Sequence, residues 1–495
     1  MSNSIMESST RGQREATGSH SMIATGHPLA AAAAQAVLRQ GGSAIDAAIA
    51  ADAVLGVVEP MATGIGGDLQ AMVVEPDGSA ITYNGTGRAP AAMSAALIDA
   101  LPGRRIPERH PLSVTVPGAV RGWHDLHRQY GKLPWRGLFD AAIDAAENGF
   151  AVGAVAAGEW SWFDHVLQRY PGCAQLYRSG NTPAAGEIFR NPNLGRMLRG
   201  IAEHGPAWFY EGEAALCAEA IMQEVGGVLA AADFAAHTGD FREPLRRQFR
   251  DLTILETPPN SHGCAVLDAL EDLNDGPLAP DDPQAVLRMV QATRAALARA
   301  KETVADPSGN TVCTVIVDAT GRAVTLMSSI FKRFGSGIAV PGCGFVLQNR
   351  GFGFAAPGHI NGPAPRKRPY HTVIPAAALR GGHFHAGFGV VGGLMQPQGQ
   401  IQLLVRLAAW GQPLAQAMAA PRWRLEAGDT LAFERGTPEP VIRLLREQGY
   451  AEPAAGQGEL KGRSDFGGAQ IVLRGPDGML IGVSDHRKDG IALGD

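Results

Sequence analysis

A change of sequence character near Pro307 divides this 495-residue chain into two unlike parts. Before it, alanine-rich stretches with helical spacing are frequent, as over 44–58, which follows the good N-cap residue Ser43. After it, β-branched and apolar residues at 311–317, a turn, and a second apolar run at 323–330 predict a β-hairpin. A helix-rich N-terminal part and a strand-rich C-terminal part are compatible with an α/β/β/α sandwich and equally with a generic α+β fold.

Other elements follow from the same periodicities. The region 115–300 is predicted to be mostly helical, and 69–83 is predicted to form a hairpin. Further short strands are predicted after the first hairpin of the C-terminal part, at 345–347, 372–379, 384–391, 470–473 and 480–483.

The hairpin that begins at Thr311 brings two hydroxyl groups together at its open end. A turn centred between Ala319 and Thr320 places Thr311 opposite Ser328 or Ser329, and directly facing Cβ atoms in such a pair lie about 5 Å apart. A threonine that follows a Pro-Ser-Gly-Asn break, beside a second hydroxyl, fits a self-cleaving residue. A cross-strand hydrogen bond that only stabilises the hairpin is the simpler explanation of the same pair.

A glycine pair, Gly392 and Gly393, follows the strand predicted over 384–391. Backbone N–H groups without side chains are suited to face a developing oxyanion. A turn that needs positive φ explains two glycines equally well.

Composition and charge exclude several classes of function. Hydrophobic residues make up 45% and charged residues 18% of the chain, which is enough to bury a large core. With 43 Lys and Arg against 48 Asp and Glu, no basic excess points to nucleic acid or to an anionic membrane. The five cysteines show no C-x-x-C spacing, so neither a disulfide framework nor a cysteine zinc site is predicted.

The N-terminal segment 1–20 is polar and lacks the apolar stretch of a secretory signal. It is therefore predicted to be a loose tail, and the protein is predicted to be cytoplasmic.

Short motifs recur in a characteristic order along nearly the whole chain beyond residue 22. They include GHPLA at 26–30, GIGGD at 64–68, GNTV at 309–312, LQNRG at 347–351, KRPYHTVIP at 367–375 and GG at 392–393. Together they resemble the gamma-glutamyltransferase-like family of N-terminal-nucleophile hydrolases. The resemblance implies the α/β/β/α four-layer sandwich of those hydrolases, with no cofactor and no metal. It is closer to the branch that hydrolyses small amides than to the true transferases.

The resemblance also implies a self-processing precursor. The chain would cut itself between Asn310 and Thr311, which gives a large subunit, 21–310 after the tail, and a small subunit, 311–495. The two subunits of one precursor would stay together, with a homodimer of such heterodimers as the larger assembly.

The family's catalytic residues match four positions of this sequence. Thr311 would be the nucleophile, and Ser329, 18 residues further on, matches the activating hydroxyl. Gly392 and Gly393 match the pair whose N–H groups hold the oxyanion.

The match fails where transferring members bind the α-amino acid end of a gamma-glutamyl substrate. Thr86 and Phe331 stand in place of an arginine and an asparagine, and Gly353 stands in place of an acidic residue. The loss of these anchors favours a small amide of an acidic or dicarboxylic compound over glutathione.

Several cationic and polar residues could instead hold an acid group. We predict that the substrate is bound by Arg88, Arg350, His371 and Thr372, with Arg333 as a further cation nearby.

Two alternatives remain open from the sequence. The first is a gamma-glutamyl transferase or hydrolase that acts on glutathione-like substrates. The second is a non-catalytic relative with impaired maturation, because the segment between Pro259 and Thr311 is much shorter than the family resemblance leads us to expect.

Overall fold

The structure is a computed structural model that describes residues 15–177, 181–280, 282–304, 310–426, 430–453 and 466–495. Most of its strands belong to two seven-stranded sheets. The strands are, in chain order, β1 (Glu15–Gly18), β2 (Met22–Thr25), β3 (Asp68–Val74), β4 (Ala80–Asn84), β5 (Phe150–Ala151), β6 (Ile188–Phe189), β7 (Asp240–Arg242), β8 (Leu245–Phe249), β9 (Leu252–Glu256), β10 (Asn310–Val317), β11 (Ala323–Phe331), β12 (Ala376–Arg380), β13 (His383–Val391), β14 (Trp423–Leu425), β15 (Leu431–Phe433), β16 (Gly468–Arg474), β17 (Leu480–Ser484) and β18 (Ile491–Gly494).

Helices lie mainly before β10 and between β13 and β16. They are α1 (Pro28–Arg39), α2 (Ala44–Val58), α3 (Ala95–Asp99), α4 (Ala119–Tyr130), α5 (Asp140–Asn148), α6 (Ala154–Trp162), α7 (Asp164–Leu167), α8 (Pro171–Tyr177), α9 (Pro192–His204), α10 (Ala207–Tyr210), α11 (Glu213–Glu224), α12 (Ala231–Ala235), α13 (Gly263–Asn274), α14 (Pro283–Thr303), α15 (Met395–Leu404), α16 (Leu414–Ala419) and α17 (Glu439–Glu447). Short 3₁₀ turns occur at Pro102–Arg104, Pro111–Ser113, Trp135–Phe139 and Arg350–Gly353, and a π turn, Val405–Ala409, continues α15.

Both large sheets are antiparallel, and both use strands from either side of residue 310. The first sheet has the order β1-β17-β16-β13-β12-β9-β8, and the second has the order β18-β2-β10-β11-β3-β4-β7. The segments before and after residue 310 therefore interleave within each sheet instead of forming separate domains.

Three apolar layers hold the sheets and helices together. Residues such as Met72, Val315 and Met327 pack between the two sheets. The outer face of the second sheet is covered by α1, α2, α4, α5 and α9, and the outer face of the first by α13, α14, α15 and α17. This arrangement confirms the four-layer sandwich.

Helix α2 illustrates how local sequence supports that packing. Ser43 accepts a hydrogen bond from the Asp46 N–H, and the Asp46 carboxylate accepts one from the Ser43 N–H at 2.9 Å. This capping box confirms the predicted helix start. Every residue of α2 is buried, which its many alanines allow because small side chains permit close packing on all faces.

Three sequence predictions are wrong in detail. Residues 15–18 form β1, which pairs with β17 at a sheet edge, so the predicted loose tail is at most 1–14, which lie outside the described residues. The region 115–300 is mostly helical as predicted, but it also contains the unpredicted short strands β5–β9. Of these, β8 is an edge strand rich in exposed arginine, so its apolar alternation is weak. The strand predicted at 345–347 is only an isolated bridge between Ala339 and Val346.

Within the described part of the chain, no helix is long and apolar enough to cross a membrane.

A buried carboxyl group joins α2 to the centre of the second sheet. Asp52 is 1% exposed, accepts a hydrogen bond from Trp123 Nε1 at 2.8 Å, and also accepts one from the Ser328 hydroxyl of β11. Burial raises the pKa of Asp52 from its ordinary value of 3.8 to about 6, although the hydrogen bonds from Ser328 and Trp123 oppose the shift.

The folded chain therefore holds the Asp52 proton more tightly than the unfolded chain, and the free energy of unfolding should fall as pH rises from about 4 to about 6. A shift of this size corresponds to about 3 kcal/mol. Asp52→Asn removes the ionisation but keeps a hydrogen-bonding group, so its unfolding free energy should depend less on pH. Urea unfolding at several pH values measures the difference, with both proteins in a Thr311→Val background, which the family resemblance predicts to remain uncut. Equal pH slopes would contradict it.

Candidate active site

Thr311 lies near the start of β10, in the interior of the second sheet. Val312 faces Ser328 across the β10–β11 ladder, Asn310 faces Phe331, and the register shifts between these two pairs. Thr311 thus falls in a bulge-like irregularity alongside Ser329, and only 1% of its surface is exposed. The predicted hairpin is confirmed, but Val317 faces Ala323, so its turn is centred on Thr320 instead of between Ala319 and Thr320. This difference of half a residue in the turn centre places Ser329, not Ser328, beside Thr311.

The two serines point to opposite faces of the sheet. The Ser328 hydroxyl reaches towards α2, where it bonds Asp52 and lies 2.6 Å from the Thr63 hydroxyl. Ser329 alternates with Ser328 and accepts a hydrogen bond from the Phe331 N–H at 2.8 Å. In the next strand it stands opposite Asp68. Ser328 therefore has a structural role under α2, and Ser329 is the serine on the face opposite α2.

The side chain that contacts the Thr311 hydroxyl is Gln396, which the sequence analysis missed. Gln396 Nε2 donates to Thr311 Oγ1 at 2.8 Å, and Gln396 is fully buried. The one sequence signal that could have indicated it is its position three residues after the glycine pair.

Gly392 and Gly393 form the turn that leads from β13 into α15. Their φ values are 116° and 62°, a region that L side chains rarely adopt, so the predicted need for glycine is confirmed. A Cβ on Gly392 would also lie 3.2 Å from the Met395 Cβ and 3.3 Å from the Gly467 Cα. Conformation and close packing therefore both require glycine at 392.

Three of the four predicted substrate-binding residues form one buried network around Asp68. Arg350 Nη2 and His371 Nε2 lie 3.2 and 2.9 Å from Asp68 Oδ1. Arg350 Nη1 donates to Thr372 Oγ1 at 3.4 Å, and the guanidinium stacks 4.3 Å from the centre of the Phe331 ring. Because Asp68 opposes Ser329 across the β3–β11 ladder, this network adjoins the Thr311 end of the sheet.

The network is close to electrically neutral. Burial by itself would raise the pKa of Asp68, but the charge of Arg350 and the hydrogen bonds from His371 and the Gly87 N–H bring it down to about 2, so Asp68 is ionised. Burial lowers the pKa of His371 to about 4, with a further contribution from Arg350. His371 Nδ1 accepts a hydrogen bond from the Val373 N–H, so its proton is on Nε2 and is donated to Asp68.

Arg88 and Arg333 are not part of this network. Arg88 is half-buried and donates to the carbonyl oxygen of Arg366 at 3.3 Å. Arg333 pairs with buried Glu159 at 2.6 Å, and Lys488 lies 3.1 Å from the same carboxylate oxygen. Arg88 therefore makes no hydrogen bond within this network, and its role in substrate binding stays a prediction.

Among the described residues, one group offers three potential metal ligands within 4.8 Å of one another: Glu213, Cys217 and Cys343. It lies on α11 and in the turn before residue 344, on elements other than those that carry Thr311. Arg196 already pairs with Glu213 at 2.6 Å.

The sequence matches the model of one protein family along nearly its whole length. The family is described as gamma-glutamyltranspeptidase, and the matched segments are 30–312 and 305–495. Among curated proteins, the chain is 34% identical to the oxamate amidohydrolase proenzyme of Klebsiella pneumoniae, over 96% of this chain and 98% of that protein. It is 29% identical to the glutathione hydrolase-like YwrD proenzyme of Bacillus subtilis, over 96% and 99% of the two chains.

The fold has a close counterpart among solved structures. The cephalosporin acylase of Bacillus halodurans superposes with a TM-score of 0.92 at 30% identity, over 100% of this chain and 99% of that one. The sandwich, the order of motifs and these matches agree along the whole chain. The protein is a member of the gamma-glutamyltranspeptidase family of hydrolases that act on amide bonds.

Proposed function

We propose that the chain is a self-processing amidohydrolase in which Thr311 is the nucleophile and the substrate is a small amide of an acidic or dicarboxylic compound. The observation that carries the proposal is the position of Thr311. A buried hydroxyl at the start of a strand inside the sheet receives a hydrogen bond from Gln396, whose backbone N–H bonds Gly393 of the glycine turn. A threonine with a purely structural role in a hairpin needs neither of these neighbours.

The proposed self-cleavage begins with attack of Thr311 Oγ on the carbonyl carbon of Asn310. The C–N bond breaks, the proton of the hydroxyl passes to the Thr311 nitrogen, and an ester forms. Water then hydrolyses the ester. The freed α-amino group, with an ordinary pKa of about 7.7–8.0, can act as the base for its own hydroxyl in turnover.

Gly392 and Gly393 are proposed to donate backbone hydrogen bonds to the oxyanion that develops at the carbonyl. Their positive φ values and their place beside the turn that carries Gln396 support this role. Ser329 is proposed as the second hydroxyl, because it flanks Thr311 across the bulge.

The substrate class is argued from the Asp68 network. Arg350 is a buried cation whose Nε–H has no hydrogen-bond partner among the described residues, so one donor remains for a substrate carboxylate. Asp68 supplies the carboxylate of this network, and its Oδ1 accepts hydrogen bonds from both Arg350 and His371. A substrate α-ammonium group would compete for an acceptor already in use, which disfavours gamma-glutamyl compounds. Oxamate, the substrate in the name of the Klebsiella relative, has the favoured chemistry.

The way in which the two subunits assemble after cleavage remains a prediction. Because both sheets contain strands from before and after residue 310, the two pieces should remain associated after cleavage. The homodimer of heterodimers stays a prediction from the family resemblance.

Intact-mass spectrometry tests the nucleophile. The purified wild-type chain should appear as pieces of 310 and 185 residues. Thr311→Val, which keeps the side-chain shape but removes the hydroxyl, should remain a single chain, and Thr311→Ser should still cleave. A wild-type chain that stays intact would instead support the non-catalytic alternative.

The preference for an acidic substrate is tested with oxamate and its uncharged analogue oxamide. In the double variant Asp68→Asn/Arg350→Gln, which removes both buried charges together, the ratio of kcat/KM for oxamate over oxamide should fall about 30- to 150-fold. That range corresponds to a charge-assisted hydrogen bond of about 2–3 kcal/mol. An unchanged ratio would contradict the role of Arg350. Hydrolysis by the wild type of a gamma-glutamyl anilide, with none of oxamate, would favour the transferase alternative.

A further inference from the structure

The hydrogen bonds of the Gln396 side-chain amide define which of its two ends faces Thr311. Its Oε1 accepts a hydrogen bond from the Ile374 N–H at 3.1 Å. A backbone N–H can only donate, so the oxygen of the amide must face Ile374 and the nitrogen must face Thr311. Gln396 is therefore a hydrogen-bond donor to Thr311 Oγ1, at 2.8 Å.

The backbone of α15 holds this amide in place. The Gln396 N–H donates to the Gly393 carbonyl oxygen at 3.0 Å, and the Met395 N–H donates to the Gly392 carbonyl oxygen at 3.1 Å. One turn thus carries both the glycine pair and Gln396, so the spacing between the proposed oxyanion donors and the Gln396 amide is set locally.

A second glutamine one helical turn further on provides an internal comparison. Gln400 Nε2 donates to the Ile374 carbonyl oxygen at 2.8 Å and is fully buried, as Gln396 is. Both side chains therefore clamp the same residue, Ile374, against α15. Of the two, Gln396 is the one that contacts Thr311.

We propose that Gln396 is a catalytic residue that stabilises negative charge on Thr311 Oγ whenever that oxygen enters or leaves an ester. The inference rests on the proposed function, because it requires Thr311 to be the nucleophile. A donor in a buried site acts most strongly on an oxygen that is becoming anionic, and it needs no rearrangement if it is already in place.

The step on which Gln396 acts most directly is ester hydrolysis. Water adds to the ester carbonyl, the bond between the acyl carbon and Thr311 Oγ breaks, and the electron pair returns to Oγ. The Gln396 N–H stabilises that departing oxygen until the proton given up by the water reaches it through the α-amino group. The same donor also fills one lone pair of the resting hydroxyl, which directs the O–H proton away from Gln396.

The test compares Gln396→Met with Gln400→Met. Each substitution keeps an unbranched side chain of similar length and removes one clamp on Ile374, but only the first removes the donor to Thr311. In Gln396→Met, we expect kcat to fall on the order of 10²-fold and self-cleavage to slow. Because ester hydrolysis should become the slow step, KM should fall with kcat, and intact mass of the small piece should show the acyl adduct during turnover.

Gln400→Met should change kcat by no more than a few-fold and should show no adduct. Thermal unfolding of both variants shows whether each is folded. Equal effects of the two substitutions, or a Gln396→Met enzyme with no adduct and unaltered kcat, would overturn the inference while the Thr311 proposal stands. If Thr311→Val still cleaves and turns over, the proposed function itself is wrong, and the inference is overturned with it.

Discussion

The pairing of β10 with β11 and β2 in the interior of the second sheet is the constraint on which the rest of the molecule depends. It buries Thr311 and aligns it beside Ser329, and β11 in turn pairs with β3, which begins at Asp68. A row of buried polar side chains therefore crosses neighbouring strands at one end of the sheet. β10 is held by hydrogen bonds on both edges from Thr314 to Val317, and this fixes the position of the strand end that carries Thr311.

The interleaving of the chain gives this sheet a second property. β2, β3 and β4 come from the segment before residue 310, and β10, β11 and β18 come from the segment after it, yet all six belong to one hydrogen-bonded sheet in which β2 lies between β18 and β10. A cut between Asn310 and Thr311 would separate only the Asn310–Phe331 pair from the β10–β11 ladder and would leave the pairs from Val312 to Val317 intact. The core of the fold therefore does not depend on an unbroken backbone at residue 310. A precursor that cuts itself at this position needs this property.

Two sets of buried polar groups make the Thr311 end of the sheet unlike an ordinary core. Asp68 is ionised because Arg350 and His371 both face it, and this fixes a cation against the Phe331 ring. Gln396 and Gln400 hold the backbone of Ile374, and the first also reaches Thr311. Buried polar groups are costly unless they are paired, so these networks favour one arrangement of the surrounding side chains, although Arg350 Nε and Gln400 Oε1 have no hydrogen-bond partner among the described residues.

Much of the secondary structure was predictable from the sequence by itself, because helices and hairpins are specified by residues close together in the chain. The capping box at Ser43, the hairpin after residue 311 and the positive-φ glycines 392 and 393 are all of this kind. The order of motifs also indicated the family and the four-layer sandwich. The short edge strands β1 and β7 were missed because they pair with β17 and β4, which are far away in the chain. The hairpin of β8 and β9 was missed because the exposed arginines of β8 weaken its apolar alternation.

Only the tertiary structure decided which polar residues meet. Gln396 is 85 residues from Thr311, and His371 is 303 residues from Asp68. Arg350, which was predicted to bind the substrate, is paired with Asp68, and Arg88 donates a hydrogen bond to the carbonyl oxygen of Arg366. No local pattern encodes such contacts, because a glutamine or an aspartate has the same local preferences whether its partner is water or a buried hydroxyl. These contacts form only because the packing of two sheets and their helices brings distant segments to one end of the sandwich.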